Sequence, residues 1–164
     1  MTVYHGSVAV VEHPDLDKSK VRIDFGPGFY VTTFREQAEK WARRKALRKR
    51  MLPVVTEFDL DVNSLSGLNV KRFSESNREW LDFVSACRRG DDVGVAYDVI
   101  IGPVADDAVF EAVNMYLTGL WDVERTLQEI RYYPRNDQIV FKNETALKQS
   151  LRFVRSYELE MPHV

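Results

Sequence analysis

The segment Asp24-Phe25-Gly26-Pro27-Gly28-Phe29-Tyr30-Val31-Thr32-Thr33, read with Tyr4-His5-Gly6-Ser7 near the N-terminus, carries the residues of this chain best suited to chemistry. A glycine turn delivers Tyr30 into a strand, and the segment after it brings a second flat ring, Trp41. His5 adds a polar ring, and Gly6 leaves the main chain open to close approach by a ligand. Two flat rings with accessible backbone amides can clamp a flat, cationic heteroaromatic ring such as nicotinamide. Each stacking or cation–π contact contributes about 1–2 kcal/mol once water is excluded. Every one of these residues also has a plain structural reading. His5 can be a strand-end histidine satisfied by a backbone neighbour, and Tyr30 and Trp41 can be core aromatics.

Strands and helices must hold these groups. Val3-Tyr4-His5 reads as a short strand ended by Gly6. Residues 12–24 are polar, contain Pro14 and read as a surface loop. Phe29 to Thr32 is strand-like. Thr33-Phe34-Arg35-Glu36 fits a capping box, which predicts a helix starting at Thr33 with Ala38, Trp41, Ala42 and Ala46 as its apolar stripe. Pro53 stops it. Val54 to Val62 alternates and predicts a half-buried strand. A helix over 77–89 turns Trp80, Leu81, Val84 and Cys87 inward and stops at Gly90. Tyr97 to Ile101 is an apolar strand closed by Gly102-Pro103. Helices follow over 106–117 and 123–131, then a strand at Ile139-Val140-Phe141, a helix capped by Asn143 through Phe153, and a last strand over 154–159. Strands and helices mix without a regular βαβ rhythm, which predicts an α+β fold with mainly antiparallel pairing. Without repeat, linker or low-complexity segment, residues 1–164 read as one domain.

Composition narrows the classes. A chain of 164 residues, 45% of them hydrophobic, can bury about two-thirds of its unfolded surface. A net charge of −2 does not announce a nucleic-acid binder. Cys87 is the single cysteine, which excludes an internal disulfide and fits a reducing compartment. The N-terminus has neither a basic start nor an apolar run, so no signal peptide is expected, and no run is long enough to span a bilayer. The expectation is a soluble cytoplasmic protein with no membrane partner. The chain has no phosphate-binding Gly-Lys-Ser/Thr loop and no His/Cys spacing suited to zinc, so no metal site is expected. Cys87 lies on the apolar side of its helix, His13 has no motif around it, and His163 is in the tail.

In order, Tyr4-His5-Gly6-Ser7, Phe25-Gly26-Pro27-Gly28-Phe29-Tyr30, Trp41 and Gln138-Ile139-Val140-Phe141 resemble the motifs of ADP-ribosyltransferases of the diphtheria-toxin and poly-ADP-ribose-polymerase type. The signature of that superfamily is His, Tyr and Glu on three strands. Tyr97-Asp98-Val99-Ile100-Ile101-Gly102-Pro103-Val104-Ala105-Asp106-Asp107 resembles a small bacterial family of the same superfamily. The resemblance implies two packed, mainly antiparallel sheets around an NAD cleft, with helices outside. It implies that His5 bonds a ribose hydroxyl of NAD, that the Gly6 backbone holds the carboxamide, and that Tyr30 and Trp41 stack on the nicotinamide. Gln138 stands where the pattern has its catalytic glutamate. Gln keeps an acceptor oxygen and loses the charge. At about 4–5 Å and an effective dielectric of about 20, that charge is worth roughly 3–4 kcal/mol, about a few hundredfold in rate. Asp137 should point away from Gln138 by strand alternation, and Asn136 should share its face. Gln138 can alternatively be a surface strand residue.

Asp106 and Asp107 begin a helix, where the dipole alone favours them; a second reading has one of them supply the charge that Gln138 lacks. Arg43, Arg44, Lys45, Arg48, Lys49 and Arg50 read as a solvated helix face, or as a docking surface for phosphates. Arg131-Tyr132-Tyr133-Pro134-Arg135 precedes Gln138 where the superfamily carries its acceptor-recognition loop. The implied activity is NAD-dependent ADP-ribosyl transfer, with NAD as substrate and a protein or nucleic-acid acceptor. A toxin-like role with a neutralising antitoxin partner goes with it by analogy. The alternatives are an NAD glycohydrolase, a non-catalytic module that binds NAD or ADP-ribose, and a nucleic-acid-binding domain led by the basic helix.

Overall fold

The computed structural model of the chain describes residues 1–17, 23–133 and 136–161. Two sheets form an α+β architecture. The first has the order β1 (Thr2–Ser7), β3 (Val54–Leu60), β7 (Leu151–Glu158), all antiparallel. The second has the order β2 (Phe29–Val31), β6 (Asp137–Phe141), β5 (Val99–Pro103), β4 (Val70–Arg72). Its pairs are antiparallel except β4 with β5. Val3, Phe58 and Leu60 from the first sheet meet Phe29, Val31, Ile139 and Phe141 from the second in one core between them. Helix α1 (Arg35–Lys49) packs Ala38 and Ala42 on Val55, behind the first sheet. Helices α2 (Arg78–Arg89) and α3 (Asp107–Leu117) bury Trp80, Leu81, Val84, Val109 and Val113 against Ile100 and Val140, behind the second. Helix α4 (Val123–Ile130) adds Ile130 to that layer. Helix α5 (Glu144–Ser150) closes the inner core with Ala146 and Leu147.

The start of α1 departs from the capping-box expectation. The helix begins at Arg35, and its first turn has no side-chain cap. The Thr33 hydroxyl instead donates to Asp137 Oδ2 at 2.5 Å, and Thr32 Oγ1 accepts from Phe34 N at 3.1 Å. A hydrogen bond to a carboxylate is about twice as strong as a neutral one, so Asp137 outcompetes the helix for the hydroxyl. The strand over 54–62 ends at Leu60 and is not half-buried, since Val54 to Phe58 are all covered. Its two faces meet α1 and the inter-sheet core, so the alternating sequence is covered on both sides. A 3-10 helix at Val62–Gly67 and the short β4 had no periodic signal to announce them. α5 ends at Ser150 and β7 starts directly at Leu151, with no glycine or proline between them to mark the change. α2 begins and ends where the sequence places it: Asn77 Oδ1 accepts from Trp80 N at 3.0 Å, and Gly90 takes a left-handed φ of 95°. Among the described residues no helix is long and apolar enough to cross a membrane.

Candidate functional site where the sheets part

The two sheets touch at one rung. Tyr4 N donates to Thr32 O at 2.8 Å, and Thr32 N donates to Tyr4 O at 3.0 Å. Continuing that antiparallel register would set Gly6 opposite Tyr30, but β1 and β2 diverge and the bridge at Tyr4 and Thr32 stays isolated. Two side chains bind the carbonyls of the missing pair. His5 Nδ1 donates to Tyr30 O at 2.7 Å, and Lys45 Nζ donates to Gly6 O at 2.6 Å. The sheets are thus wedged open, with main-chain groups of Gly6 and Tyr30 on either side of the split.

Partners across a ladder share a face. Tyr4, Gly6, Tyr30 and Thr32 therefore turn to one side, and the pairing of Tyr30 with Val140 puts Gln138 there too. α1 covers that side over β1. A Cβ on Gly6 would lie 2.0 Å from Ala38 O and 2.8 Å from Ala42 N, so only glycine lets the helix rest on the strand. Trp41 lies between those two contact residues and is half-buried, with no ring contact or polar partner among the described residues. Gly6, Tyr30 and Gln138 therefore share one side, and α1, the helix that carries Trp41, covers that side over β1. The His5 ring turns the other way and stacks on Phe29, with centroids 4.4 Å apart and an interplanar angle of 21°.

His5 bonds a carbonyl, so Nδ1 carries the hydrogen and Nε2 is left as an acceptor. Burial, helped by the nearby Lys45 ammonium, lowers the imidazole pKa to about 3 against the bond to Tyr30, so the ring is neutral at pH 7. With Nδ1 engaged, a hydroxyl that meets this ring would donate to Nε2. The Tyr30 hydroxyl donates to Gly26 O at 2.5 Å and accepts from Phe25 N at 3.1 Å. It ties the glycine turn to its own strand, and burial raises its pKa well above the ordinary phenol value.

Gln138 is an interior residue, 2% exposed, rather than a surface one. Its Nε2 donates to Asp24 Oδ2 and to Pro103 O, both at 3.2 Å. Asp24 is buried as well. Its Oδ1 accepts from Arg88 Nε and a terminal nitrogen at 3.1 and 2.7 Å, and Oδ2 accepts from Ala105 N at 2.8 Å. Asp137 does not join this cluster and accepts instead from Thr32 and Thr33. Asn136 donates to Gln37 Oε1 at 3.1 Å. Asp106 accepts from Gln37 Nε2 at 2.8 Å, and Asp107, at a left-handed φ of 49°, pairs with Lys40 and Arg44. Both aspartates thus fasten α3 to α1.

The remaining candidates sit further out. Arg48, Lys49 and Arg50 are exposed at the end of α1. Tyr132 is 84% exposed, while Tyr133 is half-buried and donates to Glu129 at 3.2 Å. Pro134, Arg135 and His163 lie outside the described residues. A cavity of about 410 Å³ opens beside Pro103, the partner of Gln138, and runs past Val104, Val109, Ile130, Tyr133 and Asn136. Cys87 is buried, its thiol pushed up to about 11 by desolvation. No group of three His, Cys, Asp or Glu side chains among the described residues is placed to hold a metal.

Sequence reasoning passed over Asp24, Arg88 and the position of Lys45. A signal was present for two of them. Arg88 continues the stripe of Leu81 and Val84, and Lys45 continues that of Ala38 and Ala42. A cation on a buried stripe has to find a partner inside.

The chain belongs to the family described as "Protein of unknown function (DUF3990)", whose sequence model matches residues 1–153. No curated protein and no solved structure matches the chain.

Proposed function

We propose that the chain has an ADP-ribosyltransferase-like fold and binds NAD where β1 and β2 part, cleaving the nicotinamide–ribose bond. The observation that carries this reading is the unmade Gly6–Tyr30 rung, which leaves main-chain groups of two strands, and the Tyr30 ring, at a split between two sheets. The carboxamide bonds the Gly6 main chain, the ring lies against Tyr30 and Trp41, and a ribose hydroxyl donates to His5 Nε2. The bond between ribose C1′ and the ring nitrogen breaks with its electron pair going to nicotinamide, leaving an oxocarbenium-like ribose. A nucleophile adds to C1′ and loses its proton. With a protein or nucleic-acid group this is transfer; with water it is hydrolysis. The basic end of α1 and the exposed Tyr132 belong to the face that meets an acceptor. A toxin-like role held in check by an antitoxin protein fits such an activity by analogy alone.

Gln138 favours a second reading, a non-catalytic module for NAD or ADP-ribose. Its amide is uncharged, and Asp24, the acid beside it, is shared among Arg88, Ala105 and Gln138. Nicotinamide release from NAD, measured for the wild type, His5→Ala and Tyr30→Ala with and without lysate, separates the two. Release that is lost in both variants supports the enzyme, and dependence on lysate indicates transfer. NAD binding without release supports the module, and absence of both binding and release refutes the site.

A further inference from the structure

The unmade rung strips four main-chain groups of their ladder partners, and donors and acceptors have fared differently. In an antiparallel pair the N–H and C=O of one residue point to the same neighbour, and the direction alternates along the strand. Tyr4 spends both on Thr32, so Gly6, two residues on, turns both toward β2. By the same alternation Thr32 fixes Tyr30, whose N–H and C=O turn toward β1. Both carbonyls are occupied, Tyr30 O by His5 Nδ1 and Gly6 O by Lys45 Nζ. Both N–H groups are open: neither Gly6 N nor Tyr30 N has a hydrogen-bond partner among the described residues. Gly6 is buried and Tyr30 half-buried. Buried N–H groups rarely go unpaired, so two of them aimed into one gap mark a place prepared for an acceptor.

The capped carbonyls decide which acceptor. A carboxamide brings one oxygen and one NH2, and it suits a strand edge where an N–H and a C=O stand open together. Here its NH2 would meet either a second N–H or a carbonyl that already holds a donor. A carboxylate brings two oxygens, one for each N–H, and no hydrogen in need of a partner. Hydrogen bonds to an ionised acceptor are also about twice as strong as neutral ones.

Resting on the NAD reading of this split, we propose that its ligand is the nucleotide whose pyridine carries a carboxylate in place of the carboxamide, deamido-NAD, held by the main-chain N–H groups of Gly6 and Tyr30. His5 and Lys45 determine specificity by filling the carbonyls that a carboxamide needs, which leaves polar groups of the wrong ligand unpaired. The bond chemistry at C1′ is the same as for NAD: the glycosidic electron pair goes to the ring nitrogen, and nicotinate leaves instead of nicotinamide.

Two measurements on the wild type and one variant test this. In the free protein, amide hydrogen exchange at Gly6 and Tyr30 should be faster than at His5 and Val31, whose N–H groups belong to the β1–β3 and β2–β6 ladders. In calorimetric titrations at pH 7, deamido-NAD should bind about tenfold tighter than NAD, and it should slow exchange at both open amides. His5→Phe keeps a ring on Phe29 and uncovers Tyr30 O, so NAD should gain on deamido-NAD in that variant. Slow exchange at Gly6 and Tyr30 without ligand overturns the proposal, because those groups then have partners. NAD binding at least as tightly as deamido-NAD overturns it and leaves the NAD reading standing, and so does an affinity ratio that His5→Phe leaves unmoved. If neither nucleotide binds the wild type, the NAD reading falls and takes this inference with it.

Discussion

The split at Gly6 and Tyr30 and the knot at Asp24 handle buried polar groups in opposite ways. At the knot, one carboxylate receives Arg88, Ala105 N and Gln138, and the participating side chains are buried on structural work. At the split, two strands approach, make one rung and part, and side chains of β1 and α1 bind the carbonyls the ladder leaves behind. A closed network of this kind cannot lose a member cheaply. A wedge of two side chains can exchange them for a ligand. The knot is therefore where stability should reside, and the split is where binding should be read.

The largest effect should come from breaking the knot. Asp24→Ala leaves the buried Arg88 charge without its partner and should cost about 3–5 kcal/mol, measured by urea denaturation. A smaller loss should follow from placing a glutamate at position 138, as the pattern the chain resembles has it. Gln138→Glu sets a second carboxylate within reach of Asp24 and should cost roughly 2–3 kcal/mol at pH 8. Repulsion raises the new carboxyl's pKa, so the folded state binds the proton more readily than the unfolded one. The loss should shrink as pH falls toward 5, and nicotinamide release should not improve at pH 8. A loss that grows toward pH 5 would contradict the placement of Gln138.

Tyr30→Phe keeps the ring and removes the hydroxyl from Gly26 O and Phe25 N. About 1–2 kcal/mol of stability should go, with NAD affinity retained, which a melting curve and a titration can check together. The smallest effect belongs to His5. Its folded pKa of about 3 lies below the ordinary 6.5, so between those values the unfolded state binds the extra proton. Stability is complete only above about pH 7.5 and falls as pH drops, by about 1.4 kcal/mol at pH 5.5. His5→Asn should flatten that slope in a comparison of Tm at pH 7 and 5.5.

Much of this architecture was legible in residue patterns. The inward stripe of α2, its Asn77 cap and the Gly90 stop each have a local cause, and each is where the sequence places it. The candidate residues at the split were also legible as types: glycine before a turn, a ring entering a strand, a histidine beside a glycine. What could not be read was which partner each polar group would choose. Thr33 prefers a carboxylate 104 positions away to its own helix, and Asp24 is fixed by residues on α2, β6 and the chain after β5. Such choices depend on tertiary proximity, to which periodicity is blind. β3 was legible as a strand but not in its burial: α1 covers the face that alternation leaves to solvent.

The strand order also sets a timetable. β1 is held in its sheet by β3, but β2 has only β6 as its full neighbour, and β6 is made of residues 137–141. A chain emerging from the ribosome carries His5, Tyr30 and Trp41 long before the strand that fixes Tyr30 exists. Since a domain of this topology completes its non-local pairings late, the split between the sheets cannot take shape until residues 137–141 have been synthesised. A nascent chain that has not yet exposed β6 would be unable to bind a ligand there, whatever that ligand is.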